Sequence, residues 1–308
     1  MSAHRVPVVG GDLNARFQAQ YAYLFAIAYR MLGSRAEAED VLQDAWLRFS
    51  TADAQAVISD RAYLATIVSR LCLDRMNAAS ARRETYVGPW LPEPLRAEPD
   101  DTPRADDRLG LAESVSMALL RVLESLTPCE RAVLLLREVF DLDYDDVAAM
   151  LQISPEACRQ HLHRARVHLN AHRPARSPSR AEQTRLAMAF FAAAQAGDTI
   201  ALAALLAEDA RAIADSGGQA PAARKEIRGR DAVARFLVGG ARKGGAGPGV
   251  VYEPAWLNGS FAVVARQGGR IVVTAVLEMD AGQVTAVCLT QNPDKLTRLD
   301  QPIAPRAS

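Results

Sequence analysis

The sequence predicts a multidomain protein: two all-α pieces, the second built around a helix-turn-helix, then an α+β piece with a curved antiparallel sheet. Three observations carry that expectation. Two proline-bearing stretches interrupt the chain, apolar residues recur at helical spacing on both sides of the first, and beyond Gly249 the spacing changes to period two. The boundaries fall at 1–87, a linker over 88–112, 113–173, a short linker over 174–181, and 182–308.

The first break carries Pro89, Pro92, Pro94, Pro99 and Pro103 among the acids Glu93, Glu98, Asp100, Asp101, Asp106 and Asp107. Proline fixes φ and lacks an amide donor, so neither a helix nor a central strand survives there. Before it, Phe17, Tyr21, Leu24, Ala28 and Met31 mark one helix face. Gly33 ends that helix, and Ser34 with Glu37 caps the next. The second helix buries Val41, Leu42, Ala45, Trp46 and Phe49, beside an acidic stripe of Glu37, Asp40 and Asp44. A third, from about Asp60, turns Leu64, Ile67, Val68 and Leu71 inward and then becomes basic through Arg70, Arg75, Arg82 and Arg83.

The middle piece opens a helix at Thr127-Pro128-Cys129-Glu130, with an N-cap, a proline at the first helical position and an acid at the third. DYDDVAAML, capped by Asp143, follows as a short helix. Ser154-Pro155-Glu156 then starts a basic one, ACRQHLHRARVHLN, after the turn Gln152-Ile153. Helix, short turn and basic helix form a helix-turn-helix, whose second helix enters the DNA major groove. Glu156 opens that helix, and its exposed positions hold Arg159, Gln160, His161, His163, Arg164 and Arg166. Arg and Gln suit base-edge hydrogen bonds. An αα-hairpin with a solvated basic face is the alternative, and the turn lacks the usual glycine. His168 and His172, one turn apart, invite a metal reading, but no Cys or carboxylate accompanies them at ligand spacing, so no metal is expected.

In the last piece Leu186, Phe190 and Ala193 mark a helix, Ile200–Ala207 a second and GRDAVARFLVGG a third. Four period-two segments follow: Val250–Leu257, Phe261–Arg266, Arg270–Met279 and Gln283–Gln291. Asn258-Gly259, Gly268-Gly269 and Asp280-Ala281-Gly282 separate them, and Asn-Gly is a strong hairpin signal. The curved sheet leaves room for a pocket, whose ligand the sequence does not name.

Composition narrows the function classes. The chain has 308 residues with 36 basic and 36 acidic side chains, a formal charge of zero. It carries no apolar run near the ~20 residues a membrane helix needs, and Met1–Gly11 lacks a secretory pattern, so a cytoplasmic protein with no membrane partner is expected. A zero total says nothing about distribution. Lysine occurs only at Lys225, Lys243 and Lys295; the arginine excess fits phosphate and base recognition, or a GC-rich genome. Cys72, Cys129, Cys158 and Cys288 are scattered, as buried free thiols are, rather than paired for disulfides or metal.

FAIAYRMLGSRAEAEDVLQDAWLRF, YLATIVSRLCLDRMNAASARR and LTPCERAVLLLREVFDLDYDDVAAMLQISPEACRQHLHRAR, in that order, resemble the second and fourth domains of bacterial sigma factors of the extracytoplasmic-function group. The whole chain resembles the subgroup with a fused C-terminal SnoaL-like domain, a cone-shaped nuclear-transport-factor-like fold. RRETYVGPWLPEPL at Arg82–Leu95 matches that subgroup's linker signature, and NPDKL at Asn292–Leu296 its C-terminal one. The third signature, an Asp and three glycines, stands here as Asp215-Ser216-Gly217-Gly218. The serine puts in doubt any role that needs the first glycine's backbone freedom.

The resemblance implies a transcription initiation factor with core RNA polymerase and promoter DNA as partners and no cofactor. It places Asp40, Gln43 and Asp44 against the polymerase clamp, where a solvated face is the plain alternative. Arg70, Asp74, Arg75, Asn77, Arg82 and Arg83 would lie near the opened minus-ten element. Glu156, Arg159, Gln160, His161, His163, Arg164 and Arg166 would lie at the upstream element. It also implies a built-in regulator whose C-terminal domain contacts the sigma domains and linker. Trp90, Leu91, Pro92, Glu93, Pro94, Asp215, Gly217, Gly218, Asn292, Pro293, Asp294, Lys295 and Leu296 are its candidate contacts, with Trp90 an apolar anchor and Lys295 a charge partner. Alternatively NPDKL caps the last strand of its own domain. Other functions stay open: a ligand-responsive one-component regulator, or a cyclase-like enzyme with Asp215 as its acid, although no His in that domain supplies a second proton carrier.

Overall fold

The structure, a computed structural model, describes residues 10–53, 57–83, 86–96, 116–170, 178–240 and 249–303. It divides into two compact units that do not follow chain order. The first gathers the described residues of Met1–Ala81, Leu126–His168 and Pro302–Ser308, the second those of Arg82–Ser125 and Leu169–Gln301. The segment 86–96 and the helix after it thus belong in space with the C-terminal sheet.

In the first unit, α1 (Gly10–Leu32) ends at Gly33, whose φ of 68° only glycine takes without cost. α2 (Arg35–Ser50) then starts on Ser34, whose hydroxyl accepts from the Glu37 amide. The two pack through Phe17 against Trp46 and Phe49, with ring centroids 5.3 and 6.4 Å apart. α3 (Asp60–Arg83) buries Leu64, Val68 and Leu71, while Ile67 is only half-buried. α5 (Pro128–Leu134) begins in a full capping box of Thr127 and Glu130 and continues as a π turn over Leu135–Val139. α6 (Tyr144–Leu151) and α7 (Pro155–Asn170) complete the helix-turn-helix. Gln152 supplies the turn's left-handed residue, φ 57° and ψ 41°, where a glycine is the cheaper choice.

Within this unit the two helical pieces touch. Arg131 Nη1 donates to the Met31 carbonyl at 2.8 Å, and Tyr23 meets Phe140 edge-on at 5.4 Å. Arg70 of α3 donates to the carbonyls of Met150 and Ala149, at 2.7 and 3.0 Å.

The second unit is a six-stranded sheet ordered β2-β1-β6-β5-β4-β3. Its strands are β1 (Leu206–Asp215), β2 (Ile227–Arg228), β3 (Val250–Leu257), β4 (Ser260–Gln267), β5 (Arg270–Asp280) and β6 (Gln283–Thr290). One face packs on α8 (Arg180–Ala196), α9 (Thr199–Leu205) and α10 (Arg230–Gly240) through Phe190, Leu202, Val233, Leu277 and Val287. The other face is covered by Leu91, by Met117 of α4 (Met117–Glu124) and by Leu299, against Ile213, Val264, Val276 and Cys288. A short α11 (Pro293–Leu296) follows β6.

The expected antiparallel sheet needs one correction. β1 pairs with β6 in parallel, so the sheet is mixed, with every other pairing antiparallel. The sequence hides β1 because its pairing shifts register between Leu206 and Arg211, and an irregularity there breaks the period of two. The expected helix Ile200–Ala207 therefore stops at Leu205, and the strand starts at once. Helices on one face of a curved, mostly antiparallel sheet are the architecture that the SnoaL-like resemblance implies.

Candidate nucleic-acid and polymerase surfaces and the linker clasp

On α7, Cys158, Leu162 and Ala165 are buried at positions four and three apart, which fixes the opposite face outward. Glu156, Arg159, Gln160, His163, Arg164 and Arg166 are exposed and His161 half-buried. The arginines are not bare. Arg159 lies 3.5 Å from Glu156, Arg164 Nε donates to Glu130 at 2.7 Å, and Arg166 is bonded to Glu138. Burial, then the neighbouring Arg164, pushes the His161 imidazole below its ordinary range, and the Glu130 charge only partly offsets them. Arg164 Nη2 lies 2.9 Å from His161 Nδ1. Among the described residues no group of three His, Cys, Asp or Glu is arranged to hold a metal ion, and His172 lies outside them.

On α2, Asp40 and Gln43 are exposed and Asp44 half-buried. Leu47, one turn on, is 59% exposed and extends the stripe with an apolar side chain. Sequence reasoning missed it, because spacing alone did not separate it from Trp46, which was expected inside and is half-buried. α3 answers this stripe: Arg75 Nη2 donates to Asp44 at 2.7 Å and Nη1 to the Glu37 carbonyl at 3.2 Å. Asp74 and Asn77 are exposed, whereas Arg70 is spent on α6. The side chains of Arg82 and Arg83 lie outside the described residues. Among these described residues no helix is long and apolar enough to cross a membrane.

The second unit gathers three stretches far apart in sequence around one carboxylate. Asp215, at the end of β1, is fully buried. Its Oδ1 accepts from the Tyr86 hydroxyl at 2.5 Å and the Gly217 amide at 3.2 Å. Its Oδ2 accepts from the Leu91 amide at 2.8 Å and Lys295 Nζ at 2.7 Å. A carboxylate offers about four lone-pair sites, and all are filled. Lys295 also donates to the Leu91 carbonyl and sits 4.0 Å from the Trp90 ring centroid. Trp90 therefore meets the Lys295 ammonium as a cation-π partner. Burial pulls the Lys295 ammonium below its ordinary range, with Asp215, Glu93 and Glu124 opposing. Burial, then hydrogen bonding to Asp215, pushes the Tyr86 phenol up.

The glycines make room for this clasp. A Cβ on Gly217 would lie 2.6 Å from Asn292 Nδ2, and one on Gly218 3.1 Å from Val87. Both glycines have positive φ, whereas Ser216 does not, so the serine occupies a position that needs no glycine freedom. Asn292 both caps α11, accepting from the Asp294 amide, and donates to the Tyr86 hydroxyl at 3.0 Å. NPDKL thus caps its own helix and contacts the linker at once. Leu91, Glu93 and Leu95 are buried, and Pro92 and Pro94 with them. Burying each leucine contributes roughly 1.5–3 kcal/mol. Farther on, Leu95 and Asn258 exchange bonds: the Leu95 amide donates to Asn258 Oδ1 at 3.0 Å, and the Asn258 amide to the Leu95 carbonyl at 2.9 Å. Arg121 of α4 pairs with Glu278 of β5 at 2.8 Å. That anchor was missed in the sequence, since no spacing links residues so far apart.

Comparison with known proteins identifies the two helical regions and relatives of the same length. Residues 17–82 match Sigma-70 region 2 and residues 116–169 match Sigma-70, region 4. The ECF RNA polymerase sigma factor SigJ of Mycobacterium tuberculosis is 38% identical over 298 residues, 92% of this chain and 93% of the relative. The probable ECF sigma factor SigI of the same species is 31% identical, over 93% of this chain and 96% of its own length. The crystal structure of M. tuberculosis SigJ superposes with a TM-score of 0.74 at 32% identity, covering 94% of this chain and all of that one. Paired region 2 and region 4 helices, followed through the same full length by a sheet domain, place this chain in the family of ECF RNA polymerase sigma factors.

Proposed function

We propose that the C-terminal unit of this sigma factor restrains promoter reading by clasping the linker, and that the clasp is regulatory rather than catalytic. The observation that carries the reading is the Asp215 carboxylate, whose acceptor sites are taken by Tyr86, Leu91, Gly217 and Lys295. An acid so occupied has no lone pair left for a substrate proton, which argues against a cyclase-like activity. Chain connectivity supplies the mechanism. Segment 86–96 follows α3 after two residues, and α4 precedes Leu126 of the next helical piece by two. With both anchored on one sheet, the chain just after region 2 and the first helix of region 4 are held by the C-terminal domain. Release frees both from that sheet, so that the two regions reach two separated promoter elements.

In this reading Asp40, Gln43, Asp44 and Leu47 face core polymerase. Arg70, Asp74, Arg75, Asn77, Arg82 and Arg83 line the minus-ten strand, and the exposed face of α7 reads the upstream element. The protein works in the cytoplasm, where its polymerase is. Run-off transcription with purified core polymerase tests the reading, comparing the full chain with one trimmed after Asn170. Promoter-specific transcript from both, rising when the clasp is removed, is the expected result. Equal transcript from the two removes the restraint.

A further inference from the structure

Every arginine of the helix assigned to upstream DNA has a carboxylate beside it. α7 carries three arginines, and each has an acid beside it: Glu156 for Arg159, Glu130 for Arg164 and Glu138 for Arg166, so 3 − 3 = 0. Two of those acids are not on α7. Glu130 is the capping-box acid that opens α5, and Glu138 lies in the π turn that extends it. A π turn inside a helix is rare and tends to mark functional positions.

Glu130 does two jobs with one carboxylate. Its Oε2 accepts from the Thr127 amide at 3.2 Å and its Oε1 from Arg164 Nε at 2.7 Å. Burial raises its pKa, but the bonds from Arg164 and Thr127 outweigh that and hold it below the ordinary carboxylate range. The Arg164 fork is therefore gripped on two sides, by Glu130 and by His161 Nδ1, which commits two of its five N–H groups. Half of the Arg164 side chain stays exposed, 52%.

We propose that Glu130 and Glu138 are specificity-determining positioning residues: they neutralise and orient Arg164 and Arg166, so that α7 discriminates base edges while attracting the phosphate backbone weakly. The proposal rests on the assignment of α7 to upstream DNA. Bare arginines bind any phosphate, and that attraction is independent of sequence. An arginine held by an acid gains little from a phosphate, and it gains a bidentate base contact only where the fork already points. Exposed pairs of this kind are weak, so DNA exchanges them readily.

The experiment uses holoenzyme assembled from core polymerase and the full chain. Its probes are a promoter selected by that holoenzyme from a randomised pool and the same promoter with its upstream element scrambled. Glu130→Gln keeps the capping acceptor and removes the charge; Glu138→Gln, outside the capping box, guards against a folding defect. For the double variant the salt dependence of binding to scrambled DNA steepens by about 0.9 per released arginine. Affinity then falls roughly tenfold more than for wild type between ~50 and ~200 mM salt. The preference for the intact element shrinks several-fold. Unchanged slope and preference in both variants, with Arg164→Ala still losing the preference, overturn the proposal and leave the assignment of α7 standing. If Arg164→Ala also keeps the preference, the assignment fails, and the proposal with it.

Discussion

The ion pairs of α7 and the ion pair of Asp215 with Lys295 are made of the same chemistry and do opposite things. Those of α7 lie at the surface, with Arg159, Arg164 and Arg166 all about half exposed. Such pairs contribute about 0–1 kcal/mol, so a DNA ligand displaces them cheaply. The clasp pair lies at 10% and 0% exposure, so losing one partner leaves the other charge buried and uncompensated. Burial is what separates a contact meant to be traded from one meant to hold.

The comparison is most severely strained by Lys295→Met. It strands a buried carboxylate and should cost about 3–5 kcal/mol in denaturant unfolding of the full chain. Asp215→Asn combined with Lys295→Met should recover part of that loss, because no uncompensated charge stays buried and the amide oxygen still accepts from one pair of donors. A double variant as unstable as the single one would show that packing, not charge, sets the cost. Next comes Gly217→Ala, which forces a side chain into left-handed backbone against Asn292 and should cost roughly 1–2 kcal/mol or more. Ser216→Gly, which removes the hydroxyl that accepts from the Gly218 amide at 3.3 Å, should cost less, about 0.5–1.5 kcal/mol by the same measurement.

On the exposed side, Arg164→Ala should lower discrimination at the upstream element by about 1–3 kcal/mol in binding while leaving the unfolding transition in place. A uniform loss across all sequences would make Arg164 a phosphate contact instead. The smallest effect belongs to Arg70→Ala, which removes two bonds to α6 carbonyls at a partly exposed site. It should cost about 1 kcal/mol of stability. Loss of promoter opening without that stability change would place Arg70 on DNA alone.

These two regions were legible in the sequence to different degrees. The α7 face could be read directly, because Cys158, Leu162 and Ala165 fix which side is buried and everything opposite follows from helical spacing. The four strands after Gly249 were equally plain, with a glycine turn at each of the three connections between them. The clasp was legible only through the resemblance, as three motifs expected to meet between the C-terminal domain and the linker. Nothing in spacing shows that Tyr86, Leu91 and Lys295 converge on Asp215, since a parallel pairing of β1 with β6 brings them together. The acids that hold Arg164 and Arg166 were hidden for a similar reason. Glu130 announced itself as a cap, and a cap gave no hint of its second bond. The division of the linker between structure and tether also escaped, because prolines exclude helix and strand without excluding burial.

The regulatory claim is tested most directly by run-off transcription from reconstituted holoenzyme, comparing wild type with the Lys295→Met variant, which leaves the clasp carboxylate without its cation. Hydrogen exchange over residues 86–96 is followed in the same samples. The account predicts faster exchange in that segment together with a several-fold rise in promoter-specific transcript. Faster exchange with transcript unchanged or reduced would contradict it.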